Sequence, residues 1–268
     1  MIYVGTSGYG YHEWSPVFYP QHLCYEEYIA YYSKRFAFCE LNASFVRVPK
    51  ASELSALIAR VPSTFRVSVK LHRRLTHERG ADLMLARSFA RSLEPLVESG
   101  QLVAVAAQFP FSFVNNPESR AYLCRLRAAL ELPLVAELRN DSWTHPETLA
   151  FLRGWGVGFA CIDAPEIAGI PNRTAVSTSD IGYVRFHGRQ ADAWWLPGDP
   201  RRHGYRYRQR ELLSWIPRIR EIAKRTRDVC LVFNNRRHAY AVLAAGGMTR
   251  LLERSQRSRS KTARARAG

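Results

Sequence analysis

The stretch LVAVAAQFPFSFVNNPESRAYLCRLRAALELPLVAELR, residues Leu102–Arg139, decides the fold. Leu102–Gln108 is a short apolar run that ends in an amide. Leu134–Arg139 is a second run, and it ends in charge. Between them, Glu118–Leu130 carries apolar residues at helical spacing. Strand, helix and strand within so short a span form a βαβ unit, whose two strands must run parallel.

The same alternation extends in both directions. Strands are expected at Ile2–Gly5, Phe38–Asn42, Arg66–Lys70, Val157–Asp163, Tyr183–His187 and Val229–Asn234. Helices are expected at Glu26–Phe36, Ser52–Val61, Leu83–Glu98, Pro146–Trp155, Arg210–Thr226 and Ala239–Glu253. Pro146 suits a first helical turn, where its missing N–H has no intrahelical partner. Eight strands alternating with helices predict an α/β fold, a single (β/α)8 TIM-like barrel; a doubly wound open sheet is the alternative. Irregular segments follow strands six and seven. Ala164–Asp180 contains Pro165, Gly169 and Pro171 and reads as a loop, as does Gly188–Gln209. The expected domain organisation is a barrel over residues 1–253 and a basic, low-complexity, disordered tail over 254–268.

The chain has 268 residues, 39 of them Lys or Arg and 23 Asp or Glu, a formal charge of +16. Six of the basic residues lie in the tail (Arg254, Arg257, Arg259, Lys261, Arg264, Arg266). The remainder, 33 basic against 23 acidic, is still basic. Such an excess favours a polyanion near the protein. MIYVGTSGYG lacks a basic segment followed by an apolar one, so no secretory signal is expected. No run approaches the length of a membrane helix, and no membrane partner is expected. Five scattered cysteines without a CxxC pair disfavour a disulfide framework or zinc site and fit a reducing cytoplasm.

Strand alternation then sorts the polar residues by face. Glu40 and Asn42 share a face of strand two, and Lys70 lies in phase with Ser68 on strand three. Gln108 follows Ala104 and Ala106 on strand four. Glu137 and Arg139 share a face of strand five, as do Arg185 and His187 of strand seven. Asp163 ends strand six in phase with Cys161, which is read as facing inward, whereas Cys39 faces the helices. Asn234 and Asn235 close strand eight, with the inward one undecided. All lie at C-terminal strand ends, where barrel enzymes carry their active sites. Glu40, Glu137, His187 and Asp163 are therefore the candidate catalytic residues. Ser7, Asn42, Lys70, Gln108, Arg139, Arg185, Asn234 and Asn235 are the candidate ligand-binding ones. Charges this dense are costly to desolvate unless paired, so an ion-paired plug competes with a ligand site.

At this point the sequence resembles the YecE-like proteins, the domain of unknown function 72 family. The resemblance is carried by GTSGYGYHEW with FYP (within Gly5–Pro20), ELNASF (Glu40–Phe45), VKLHRRLTH (Val69–His77) and QFPFSF (Gln108–Phe113). It continues through AELRNDSW (Ala136–Trp143), YVRFHGR (Tyr183–Arg189) and VFNNRRHAYAVLAA (Val232–Ala245). It implies a TIM-barrel-like fold and no particular activity. Ala43-Ser44 and Val46 depart from the family's usual Ser-Thr and Tyr. The tail after Arg254 is read as lying outside the family's pattern.

Three chemistries follow from these residues. Two carboxylates in different environments, Glu40 and Glu137, can divide acid and base roles, with His187 carrying or orienting a proton. Lys70, Arg139 and Arg185 can clamp a phosphate- or sugar-like anion, beside backbone N–H groups of Gly5–Gly8. Glu40, Glu137, Asp163 and His187 have the composition of a divalent-metal site, but three nearby cations oppose one, so neither metal nor other cofactor is expected. Neither a Walker loop, a dinucleotide fingerprint nor GxSxG occurs. Trp194, Trp195, Tyr205 and Tyr207 interleave with Arg201, Arg202, Arg206, Arg208 and Arg210, a pattern suited to phosphate contact and base stacking. The expected partner is a small anionic ligand. Nucleic acid is the alternative, with phosphodiester chemistry or binding alone, and a non-catalytic ligand-binding barrel is the third reading.

Overall fold

The computed structural model describes residues 1–80, 83–171, 173–196 and 199–267, with the backbone alone for Pro200 and 258–267. Eight parallel strands close into a barrel in chain order: β1 (Ile2–Ser7), β2 (Phe38–Leu41), β3 (Arg66–Lys70), β4 (Leu102–Phe109), β5 (Leu134–Leu138), β6 (Val157–Asp163), β7 (Ile181–Phe186) and β8 (Asp228–Phe233). β8 returns to pair with β1, so no sheet edge is left exposed.

Around it lie α1 (Tyr28–Ser33), α2 (Ala51–Ile58), α3 (Met84–Ser92), α4 (Glu94–Glu98), α5 (Pro117–Leu130), α6 (Pro146–Gly154), α7 (Gln209–Leu213), α8 (Ile216–Ala223) and α9 (Tyr240–Ala267). Two expected helices are each divided. Pro95 and Pro217 cannot donate to a continuing helix, and each sits in the first turn of a new one, α4 and α8. Segments 164–180 and 187–208 contain no α-helix among the described residues. The tail expected to be disordered instead continues α9 to Ala267. Residues 250–267 contain neither Gly nor Pro and are rich in Arg and Ala, which favour helix.

Strand alternation separates two apolar layers. Phe38, Ala104, Ala106, Val135, Ala160, Tyr183 and Val232 fill the lumen. Cys39, Val69, Val105, Ala136, Cys161, Phe186 and Phe233 face the helices. The register then places polar residues side by side at the C-terminal end: Ser7 beside Glu40, Gln108 beside Glu137, and Arg185 beside Ile162 and Val232.

β1 and β2 can approach only because residue 5 lacks a side chain: a Cβ there would lie 2.0 Å from the Phe38 carbonyl oxygen. At Gly246 on α9 the nearest neighbour is an Arg250 side-chain atom at 3.5 Å. Gly5→Ala is expected to lower unfolding stability by about 3 kcal/mol or more. Gly246→Ala should be neutral or stabilising by up to about 1 kcal/mol. Urea midpoints test both; a Gly5→Ala protein as stable as the wild type would contradict the β1–β2 packing.

Candidate functional site

Arg185 stands at the centre of the mouth, 1% exposed. Its Nη2 donates to Glu40 Oε1 and, at 3.3 Å, to Ser7 Oγ. Its Nη1 donates to Glu137 Oε2 at 2.9 Å and to Gln108 Oε1 at 3.4 Å. One guanidinium on β7 thus reaches β1, β2, β4 and β5. Glu40 is filled from every side, because Ser7 Oγ (2.7 Å) and Tyr183 OH (2.7 Å) also donate to it. Ser68 Oγ in turn bonds Tyr183 OH at 2.9 Å.

Glu137 accepts from Arg139 Nε at 2.6 Å and bonds His187 Nε2 at 3.0 Å. Asn234 Nδ2 lies 3.3 Å from His187 Nδ1. An amide nitrogen can only donate, so His187 carries its proton on Nε2 and gives it to Glu137. Burial opposes the charge on Glu137. The His187 imidazole and the two guanidiniums outweigh it and hold that carboxyl well below the usual range. Burial brings His187 down to about 4, the Arg139 and Arg185 charges adding to it against the pull of Glu137.

The carboxylates are thereby matched: Glu40 and Glu137 against Arg185 and Arg139. Three further cations have no such partner among the described residues. Lys70 is 9% exposed and its ammonium makes neither ion pair nor hydrogen bond among the described residues; its Nζ lies 4.1 Å from the Phe45 ring centroid. Burial, with Arg185 nearby, lowers its pKa to about 7. Arg202 and Arg139 both lie over Trp194, at 5.4 and 5.5 Å, and burial lowers the Arg202 pKa. Arg236 lies over Tyr11 at 5.4 Å. Burial also brings His77 and His203 to about 4, with neighbouring cations pushing the same way.

Of the sequence-predicted residues, Ser7, Glu40, Gln108, Glu137, Arg139, Arg185, His187 and Asn234 share one network, and Lys70 lies beside it. Asn42 lines an adjoining cavity, and its buried Oδ1 has no hydrogen-bond partner among the described residues. Asp163 is a correction. Ile162, not Asp163, shares the Arg185 layer, so Asp163 and Cys161 face the helices. There Asp163 accepts from Arg189 Nε (2.9 Å) and Nη2 (2.6 Å), Tyr207 OH (2.9 Å) and Trp215 Nε1 (2.5 Å). Its removal also takes one donor from the set considered for a metal. Asn235 likewise turns outward, donating to the Tyr205 carbonyl at 2.7 Å.

This outer cluster fastens the segment after β7. Gly188 makes its first turn at φ 87°, and a Cβ there would lie 2.5 Å from Tyr205 Cβ. Tyr205 OH bonds Glu211 Oε1 at 2.5 Å, and Gly188 N–H donates to Tyr207 OH at 2.9 Å. Trp194 is 3% exposed against His187, so among the four loop aromatics only Trp195, at 52%, presents a mostly free ring. Tyr183, Phe45 and Arg236 are not among the sequence-predicted residues, and Trp194 and Arg202 are predicted only as part of the aromatic and basic loop pattern. Tyr183 was legible as the residue two before Arg185, on the same strand face.

The sequence model of the family described as "Protein of unknown function DUF72" matches residues 3–267, including the basic segment after Arg254 that the sequence reading sets outside the family's pattern. The UPF0759 protein YunF of Bacillus subtilis (strain 168) is 32% identical over 254 residues, covering 88% of this chain and 89% of that protein. The crystal structure of a DUF72 family protein from Thermotoga maritima is 32% identical with a TM-score of 0.87, covering 94% of this chain and 99% of that one. A DUF72 family protein from Enterococcus faecalis, 24% identical over 94% of this chain and 96% of its own, has a TM-score of 0.83 and shares the fold. No helix among the described residues is long and apolar enough to cross a membrane.

Two outcomes are expected. Asp163→Ala leaves Arg189 and two buried N–H or O–H donors short of an acceptor and should cost about 3–5 kcal/mol. Hydrogen exchange should quicken in 189–208; unchanged exchange would contradict the fastening role. Lys70 has a pKa of about 7 in the folded chain, against about 10.4 unfolded. The unfolded chain binds this proton first, so Lys70 penalises folding fully below about pH 7 and hardly at all above about pH 10. Lys70→Met should therefore gain most over the wild type near pH 7, and that gain should shrink toward pH 10. A gain independent of pH, read from urea midpoints, would refute the assignment.

Proposed function

The chain belongs to the DUF72 family of proteins of unknown function, and from that premise we propose that the C-terminal mouth of its barrel binds a small anion. One observation carries this reading. Glu40 and Glu137 are matched by Arg185 and Arg139, while Lys70, Arg202 and Arg236 converge on the mouth without carboxylate partners among the described residues. Lys70 is buried and Arg202 half-buried, whereas Arg236 is exposed at the rim; a buried cation is costly without a counter-charge, and a phosphate or carboxylate supplies it. Arg139 and Arg202 flank Trp194 and offer guanidinium donors to such an anion, with Lys70 as a point charge. His187 and Asn234 present fixed polar edges.

Binding is the primary role in this reading. Three donors, Arg185 Nη2, Ser7 Oγ and Tyr183 OH, occupy the Glu40 carboxylate, and the neighbours of Glu137 hold it ionised, which makes Glu137 a weak proton acceptor. Lys70 titrates near neutrality, so any proton transfer falls to it rather than to the carboxylates. All five cysteines are free thiols, which supports a cytoplasmic setting.

A nucleic-acid partner is the second reading, favoured by exposed Trp195 and the basic excess. Inorganic phosphate tests the first against a sodium chloride control of equal ionic strength. It should raise the unfolding stability of the wild type, by about 2.7 kcal/mol at one hundred times Kd. The Lys70→Met, Arg202→Ala double variant should show no such increment. No increment in the wild type with phosphate, sulfate or acetate would refute an anion site. Tight, salt-dependent oligonucleotide binding in its place would select the second reading.

A further inference from the structure

Beside the mouth lies an open cleft of about 720 Å³, lined by the segments that follow β1 and β2 and by α2. Its walls are mixed, with Tyr11, Tyr25, Phe45, Leu54 and Leu57 supplying the apolar part. Lys70 lines the same cavity, nine-tenths buried, and its ammonium rests on the Phe45 ring.

We propose that this cavity receives the apolar body of the anion, so that the ligand is an aryl acid, its acid group at Lys70 and its ring against Phe45 and Leu57. The proposal rests on the anion-binding reading of the mouth and narrows its ligand class. Three observations carry it.

First, the charges around the cavity are unequal in availability. Arg47 is paired with Glu53 at 3.0 Å, and Arg60 donates to the Glu26 carbonyl at 2.9 Å. Lys70 and Arg236 alone are lining cations with neither an ion pair nor a side-chain hydrogen bond among the described residues. Trp14 Nε1 donates to the Arg236 carbonyl at 2.7 Å and fixes that residue's backbone at the rim. The cavity is thus equipped for one anionic head.

Second, the remaining polar groups suit few hydroxyls. Ser44 Oγ is engaged by the Leu41 and Lys70 carbonyls, and Tyr11 OH donates to the Ser7 carbonyl. A polyhydroxylated sugar would leave its hydroxyls facing hydrocarbon, at a cost for each. Tyr25 and Glu26 also line the cavity, but both are exposed, so they meet a polar group only at its solvent side. Third, a bare hydrated ion would leave the aromatic walls wet, whereas a ring removes both them and Lys70 from water. The volume lies within the range of small-molecule sites.

The experiment compares acetate, 4-hydroxyphenylacetate and inorganic phosphate by isothermal calorimetry on the full chain. The first two share a carboxylate head and differ in the body; the third reports the mouth alone. In the wild type, 4-hydroxyphenylacetate should bind at least tenfold more tightly than acetate. Ala56 is exposed at the cavity wall, so Ala56→Trp can fill the space without disturbing the core. It should erase that preference and leave phosphate binding unchanged, and Phe45→Ala should reduce the preference. Equal binding of the two acids, or a preference that survives Ala56→Trp, overturns the aryl-acid proposal while phosphate binding upholds the mouth. Loss of phosphate binding as well overturns both.

Discussion

The Arg185 guanidinium, buried between Glu40 and Glu137, is the constraint on which the rest of the mouth depends. A charge in that position is tolerable only if every nearby carboxylate answers it. Glu40 and Glu137 do so from opposite sides, Ser7 and Gln108 accept from the same two terminal nitrogens, and Arg185 Nε has no hydrogen-bond partner among the described residues. The barrel's register makes this attainable by bringing Ser7 level with Glu40 and Gln108 level with Glu137. Packed hydrocarbon in the same layer would be at least as stable. What the triad adds is position: it holds Glu137 where Arg139 and His187 can bond its other oxygen.

The electrostatic character of the site follows from that arrangement. Two carboxylates neutralise two guanidiniums, and the excess positive charge is displaced to the rim. Lys70, Arg202, His77 and His203 all feel it, each held below its ordinary pKa by burial, with neighbouring cations acting in the same direction. Trp194 joins the two sides, with His187 at its edge and Arg139 and Arg202 on its ring. It is held there by a segment whose own anchor, Asp163, lies outside the barrel wall.

Much of this was legible in the sequence, and the failures share a cause. On β2, β5 and β7 a polar residue recurs at every second position near the strand end, so Glu40, Glu137, Arg139, Arg185 and His187 could be placed by alternation. β6 reads VGFACID and is buried on both faces, so apolar residues carry no phase information there. Asp163, expected at the mouth in phase with Cys161, instead finds its partners, Arg189, Tyr207 and Trp215, in the outer layer. Asn234 and Asn235 were ambiguous for the same reason. Pro95 and Pro217 break two of the expected helices, as proline's missing N–H dictates. The cavity was not readable, because its walls come from loops after β1 and β2 whose meeting with α2 is set by tertiary packing. The basic tail was judged by low complexity, when its Arg and Ala content, free of Gly and Pro, favours the helix found.

The central claim is that the triad uses the carboxylates and leaves the rim cations for a ligand. A crystal structure of the full chain grown with inorganic phosphate tests it most directly. The account predicts density for one phosphate at the mouth, within hydrogen-bond reach of Lys70 Nζ and of the Arg139 or Arg202 guanidinium, with Glu40 and Glu137 still on Arg185. A mouth without phosphate, or a phosphate that displaces Glu40 or Glu137 from Arg185, would contradict it.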